Sequence, residues 1–287
     1  MPRHRKSSTQ LTVIFPDIHF AHSVNGVRPL DRHDPKAVSI AMQITKDLCP
    51  DRHIQLGDLI HLAYLSHWNI DRDMKGTVTS EKEGDPITMN LKNDHALINR
   101  YFDHLQAAVP RYAELHQFEG NHEEALRSIR NMNHRRGEDL SQWFPERCWR
   151  LQERGIKWMP YQRYGDQKNY LELTKYLHVF HGHYAGTTHL QQHFMDHLCS
   201  CIYGHIHEIS EKSFKSDKNH ISVKTIGCLA TKYASYHRGR KNPWGQAISL
   251  VYTLPSGEFY DQLVRIINGK AVLNGKIYYG KEESWME

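Results

Sequence analysis

No stretch of the 287 residues reaches about 18 consecutive apolar positions, so the sequence offers no membrane-spanning helix. The first ten residues, Met1 to Gln10, lack the apolar core of a secretory signal. They are basic and polar, with Arg3 to Lys6 at their centre, and read as a flexible tail. Cysteine is sparse: five residues, an odd number, in no staple-like spacing. That argues against a disulfide framework and for a reducing, cytoplasmic setting. Cys199 and Cys201 alternate as buried small residues on one strand face would. Internal repeats are missing, and so are low-complexity segments beyond the tail, which excludes solenoid and fibrous architectures. Charge of one sign is also weak. A net +5 permits an anionic partner without requiring one.

What the sequence has in surplus is histidine, 22 residues of it. Their meaning depends on where they fall. Leu11 to Phe15 reads as a buried strand, and His53 to Leu56 as a second one ending at Gly57. Between them, Ala37, Val38, Ala41, Ile44 and Leu48 recur at helical spacing behind Pro35, which suits a helix start. Residues 62–90 are polar and irregular and read as a lid or insertion. Asp94 to Val109 is a second amphipathic helix, Leu115 to Glu119 a third strand, and His122 to Ile129 a helix after it. The 131–165 region has no clear period, with Trp143, Trp149 and Trp158 as core anchors. Tyr170 to Phe180 holds two strand-like runs, Thr188 to His197 a helix, and Leu198 to Tyr203 a strand. Ser222 to Leu229, Ala247 to Leu254 and Phe259 to Ile267 complete the strands. Residues 11–287 are expected to form one α/β domain with mixed or paired sheets flanked by helices.

Each short strand ends in a group able to bind a metal. Asp17-Ile18-His19 follows the first, Gly57-Asp58 the second, and Gly120-Asn121-His122-Glu123 the third. Later strands lead into His181-Gly182-His183 and Gly204-His205-Ile206-His207. Strand ends on one side of a sheet are where α/β proteins place their sites. Carboxylate, amide oxygen and imidazole, without thiolate, suit borderline divalent ions rather than structural zinc. Two cations ~3.5–4 Å apart offset the charge of a phosphate ester and acidify a bridging water. Asp58 is the natural bridging carboxylate, and His122 the candidate acid for the leaving oxygen.

In this order the motifs resemble those of the calcineurin-like metallophosphoesterase family. They span residues 17–207, about two-thirds of the chain. The closing hairpins and Gly227-Cys228-Leu229 resemble phage-encoded members in particular. The resemblance implies two mixed sheets packed face to face with helices outside. It implies hydrolysis of a phosphodiester or phosphomonoester by a metal-bridging hydroxide. One metal would take Asp17, His19, Asp58 and His207, and the other Asp58, Asn121, His181 and His205. Manganese is the expected ion, with iron, zinc, nickel or cobalt as alternatives. The sequence departs from the family where its second motif usually continues to an aspartate. His61 stands there, so either His61 contacts substrate or another acid such as Glu123 supports His122. Leu62-Ala63 replaces the Arg-Gly of phosphoprotein phosphatases, which argues against that subfamily.

Other polar residues carry weaker signals. Arg127, one turn beyond His122, either meets the substrate phosphate or lies on a solvated helix face. Trp68 either stacks on a substrate ring or packs the loop down. His183 reads as packing, and His189, His193 and His197 as one helix face. The basic runs His134 to Arg136 and His237 to Lys241 raise a rival reading, a nuclease or nucleotide phosphodiesterase. A second rival is a non-catalytic binding module on a phosphoesterase scaffold. Oligomeric state leaves no mark in the sequence.

Overall fold

The structure is a computed structural model that describes residues 9–22, 32–62, 86–134, 141–161, 169–215, 220–232 and 242–286. Residues 1–8 of the basic tail, Trp68 with most of the 62–90 segment, Arg135 and Arg136, and the 237–241 cluster lie outside the described residues, while Gln10, read as the end of the tail, opens the first strand.

The first sheet contains β1 (Gln10–Phe15), β2 (Arg52–Gln55), β3 (Glu114–Phe118), β4 (Ile156–Met159), β10 (Gln246–Thr253) and β11 (Phe259–Ile266). Its order is β11-β10-β1-β2-β3-β4, with β1 to β4 parallel and β10 and β11 antiparallel. The second sheet contains β5 (Leu171–Thr174), β6 (Leu177–Phe180), β7 (Ser200–Tyr203), β8 (Ile209–Lys215) and β9 (His220–Ile226), in the order β5-β6-β7-β9-β8. There β6, β7 and β9 are parallel. A hairpin of β12 (Lys270–Leu273) and β13 (Lys276–Tyr279) follows. The helices are α1 (Pro35–Leu48), α2 (Pro86–Ala108), α3 (Asn121–His134), α4 (Pro145–Cys148) and α5 (His189–His197). The fold class is therefore α/β, with two mixed sheets flanked by helices, as a metallophosphoesterase-like sandwich requires.

Strand periodicity explains the layering. Successive side chains of β1 point to opposite faces. Val13 and Phe15 join α1 and α2 in one core, while Ile14 joins Ile54, Phe118, Val179, Ile202 and Val223 between the sheets. All are fully or almost fully buried, and each contributes roughly 1.5–3 kcal/mol. Helix α1 starts where its sequence allows. Pro35 opens it, and the Asp34 carboxylate accepts the N–H groups of Lys36 and Ala37 at 2.9 and 3.3 Å. Cys49, in the left-handed region, ends it.

Several boundaries differ from the sequence reading. Helix α2 starts eight residues before Asp94, at Pro86, and α3 runs on to His134. Strand β8 has no counterpart in the sequence reading. It is a sheet edge, and Ile-Ser-Glu-Lys-Ser-Phe-Lys is mostly exposed, so it carries no apolar run. The described part of the region without a period resolves into the end of α3, a 3-10 turn (Ser141–Trp143), α4 and β4. Trp149 is wholly buried there, with Trp143 and Trp158 packed against the same core. Among the described residues no helix is long and apolar enough to cross a membrane.

Candidate metal centre

The polar strand ends meet. Asp17 and His19 follow β1, Asp58 follows β2, and Asn121 and His122 open α3 just after β3. From the second sheet His181 follows β6, and His205 and His207 follow β7. These are the C-terminal ends of parallel strands in both sheets. An isolated parallel bridge from Asp17 to Cys228, just past β9, joins the sheets at the same place.

The backbone here is strained in a way the glycines permit. His19, Asp58, His205 and His207 have φ of 59°, 47°, 68° and 63°, in the left-handed region that disfavours side chains. Hydrogen bonds hold them there: His19 N–H donates to the Asp58 carbonyl at 2.9 Å, and His205 N–H donates to the Asp17 carboxylate. Gly120 and Gly204 let the carboxylates approach. A Cβ on Gly120 would collide with Asp58 Oδ1, and one on Gly204 with Asp17 Oδ1.

Three groups of ligand atoms result, each with its members within 4.8 Å of one another; His19, His61 and His122 form one without a carboxylate, and the other two contain carboxylates. Of these two, one is Asp17, His19, Asp58 and His207, the other Asp58, His181 and His205, and Asp58 belongs to both. In the first, His19 Nε2 lies 2.9 Å from His207 Nε2, and His207 Nε2 lies 3.0 Å from Asp17 Oδ2. In the second, His181 Nε2 lies 3.5 Å from Asp58 Oδ2. The Asn121 amide oxygen is 3.1 Å from His181 Nε2 and 2.8 Å from His205 Nδ1.

The donor chemistry fits a cation in each carboxylate-containing group. Asp17 and Asp58 are buried carboxylates, 0% and 2% exposed, surrounded by imidazoles. Burial first, and then neighbouring histidines led by His122, holds His19 well below its usual value. Burial and His181 bring His205 down to about 4. Neutral imidazole is the ligating form. Burial alone would raise the Asp58 carboxyl, but His181, His122 and the His122 N–H take it below the usual range, leaving it ionised. His181 Nδ1 donates to the Leu56 carbonyl at 2.9 Å, which turns its Nε2 lone pair into the site.

His122 and Glu123 differ from expectation in an instructive way. Glu123 does not support the His122 ring. Its carboxylate accepts backbone N–H groups from Asp58 (3.0 Å), Leu59 (2.6 Å), Ile60 (3.1 Å) and Gly120 (2.8 Å). Burial, with Asp58 next, pushes its carboxyl up to about 8. The His122 ring instead donates Nδ1–H to the backbone carbonyl of His61 at 2.5 Å, with Nε2 4.0 Å from Asp58 Oδ2. A carbonyl leaves no sequence signal, so residue types cannot reveal the orienting group. Glu123 is visible in the sequence as an acid next to His122, but that adjacency points to the wrong partner.

Arg127 Nε lies 2.8 Å from Glu119 Oε1, its Nη2 2.9 Å from Glu146 Oε1, and its guanidinium over the Phe144 ring. Those contacts tie α3 to α4 and the end of β3. The His189 and His193 rings are buried against β7. His189 reaches Tyr203 Oη at 2.5 Å and Glu208 Oε1 at 3.0 Å, bracing the turn that carries His207. Tyr161 and Trp244, which carry no motif in the sequence, stand edge-on to His181 and His207.

No protein-family model matches this chain, and no curated protein does. Among solved structures, TT1561 of Thermus thermophilus is similar with a TM-score of 0.35 and 10% identity, over 88% of this chain and 98% of that one. Yfce, a phosphoesterase from E. coli, is similar with a TM-score of 0.32 and 13% identity, over 90% of this chain and all of that one. At such scores neither neighbour carries an argument about the chemistry of this site.

Proposed function

We propose that this chain hydrolyses phosphate esters, diesters or monoesters, with two divalent cations. The observation that supports this reading most is the sharing of Asp58 between two buried ligand groups. Asp17, His19, Asp58 and His207 would hold one ion, and Asp58, Asn121, His181 and His205 the other. Oxygen and imidazole donors accept manganese, iron, cobalt, nickel or zinc, and manganese is the first to test. When bound, such a pair supplies positive charge opposite the phosphate and lowers the pKa of water.

The chain's own residues supply the rest. Asp58 and Asp17 are pre-placed by backbone N–H groups, so the site needs little reorganisation. His122 is 29% exposed, far more open to a substrate than His19 or His181 beside Asp58, at 3% and 2%. With Nδ1–H spent on the His61 carbonyl, Nε2 is the atom that passes a proton to the leaving oxygen. Burial lowers the ring's pKa overall, and Asp58, 4.0 Å away, offsets part of that by favouring the protonated form.

The test is a matrix of metals against substrates. Chelated protein is reloaded with each ion and offered aryl and alkyl phosphodiesters and monoesters. Turnover should require added ion and fall by about 10³-fold or more in Asp58→Ala. A wild-type chain that binds no ion, or that binds ions and cleaves no ester, would remove the proposal.

A further inference from the structure

His61 touches two site imidazoles in two different ways. Its backbone carbonyl takes the Nδ1–H of His122. Its ring Nδ1 stands 3.2 Å from Nδ1 of His19. The three rings pack as a box. His61 and His122 are 24° from parallel at 5.6 Å, and His19 is edge-on to them at 5.3 and 4.6 Å. His61 is 6% exposed, so its ring has little room to turn away.

His19 points its other nitrogen, Nε2, at His207 and Asp58, 2.9 and 3.9 Å away. A neutral imidazole carries one proton. If Nε2 offers its lone pair inward, the proton sits on Nδ1 and needs an acceptor. Metal-binding histidines usually find that acceptor in a carboxylate, a carbonyl or water. His181 uses the Leu56 carbonyl. For His19, the atom in the corresponding place is Nδ1 of His61.

We infer that His61 is a positioning residue for the cation group of Asp17, His19, Asp58 and His207, its Nδ1 accepting the Nδ1–H of His19. This role rests on the two-cation reading above. It requires His61 to carry its own proton on Nε2. It also gives the histidine at this position a physical purpose. A carboxylate there would add a third negative charge beside Asp17 and Asp58, whereas a neutral imidazole fixes the tautomer without one. The two duties of His61 are separable, because every substitution keeps its backbone carbonyl and so keeps the His122 contact available.

Two side-chain variants isolate the acceptor. His61→Phe keeps a ring of similar shape without a lone pair. His61→Asn returns an amide oxygen near the position of Nδ1. Apo-protein is titrated with Mn²⁺ for stoichiometry and affinity, and ¹⁵N spectra of the Zn²⁺-loaded protein report imidazole tautomers. Wild type should bind two ions, with His61 protonated on Nε2. His61→Phe should weaken one ion about 10–100-fold and leave the other near its wild-type affinity. His61→Asn should recover most of that loss. Two undiminished sites in His61→Phe, or His61 protonated on Nδ1 in wild type, would overturn the role. Should His61→Phe fail to fold, the wild-type tautomer decides alone. A wild-type chain that takes up no ion would instead defeat the two-cation reading itself, and this role with it.

Discussion

The backbone N–H of His205 donates to both carboxylate oxygens of Asp17, at 2.9 and 3.1 Å, across 188 residues of sequence. One hydrogen-bonding group thus pins the end of the first sheet to the end of the second. Asp17 sits deep enough for this only because Gly204, the residue before His205, has no side chain.

Gly204→Ala tests that dependence. A Cβ there would meet Asp17 Oδ1 closer than any real contact, so either the carboxylate or the β7 end must move. Strain of this kind costs about 1–3 kcal/mol. We expect a lower urea midpoint and the loss of one Mn²⁺ per chain. A variant with wild-type stability and two ions bound would show that the close approach is not needed.

Glu123→Ala should be worse for stability than most single changes. It leaves four buried N–H groups, those of Asp58, Leu59, Ile60 and Gly120, without their acceptor. An orphaned buried donor costs about 1–3 kcal/mol, and water entering the gap would satisfy some of the four, so a loss of roughly 3–5 kcal/mol is expected. Glu123→Gln retains one acceptor oxygen but sets an NH₂ against N–H groups, and should fall between. Equilibrium unfolding of the two variants gives the order, and an Ala variant as stable as wild type contradicts it.

The clustered residues are readable in sequence because parallel strands must end on one side, and several ends here are short strand-like runs followed by a residue type able to bind a metal. Leu11 to Phe15 leading into Asp17, and His53 to Leu56 leading into Asp58, show this most clearly. What stays hidden has a common cause: backbone atoms make the contacts. The His61 carbonyl on His122 and the Leu56 carbonyl on His181 belong to no residue type. Glu123 is visible as an acid, but its partners are amides. Strand β8 is hidden for another reason, since an edge with both faces mostly in solvent needs no apolar alternation.

His122→Ala should discriminate between leaving groups. In the proposed role its Nε2 protonates the departing oxygen, help that a poor leaving group needs and a nitrophenolate does not. We expect a kcat loss of about 10²–10⁴-fold on alkyl esters and a much smaller one on aryl esters. Equal losses on both would mean that His122 acts on binding or on the cations, and not as the acid.

Acid should unfold this chain early, because it also buries histidines outside the two candidate ligand groups. Burial, helped by His116, takes His53 to about 3. Burial takes His95 to about 4. Burial, with His183 next, takes His193 to about 2. In the unfolded chain each returns to about 6.5. The unfolded state therefore binds more protons below that pH, and stability falls as pH falls. The contribution is complete above about pH 6.5 and is lost progressively towards the folded values. Each group removes about 1.4 kcal/mol per pH unit in that window. Three of them remove about 6 kcal/mol by pH 5, comparable with the whole stability of many domains. Urea midpoints taken in steps from pH 7.5 to 5, on metal-free protein, should drop steeply below about 6.5. Replacing His193 with a neutral glutamine should make the drop shallower, since one titrating group is gone while His53, His95, His197 and, in metal-free protein, His205 remain. A midpoint that stays level across that range would mean that these rings are charged in the fold, against the burial that surrounds them.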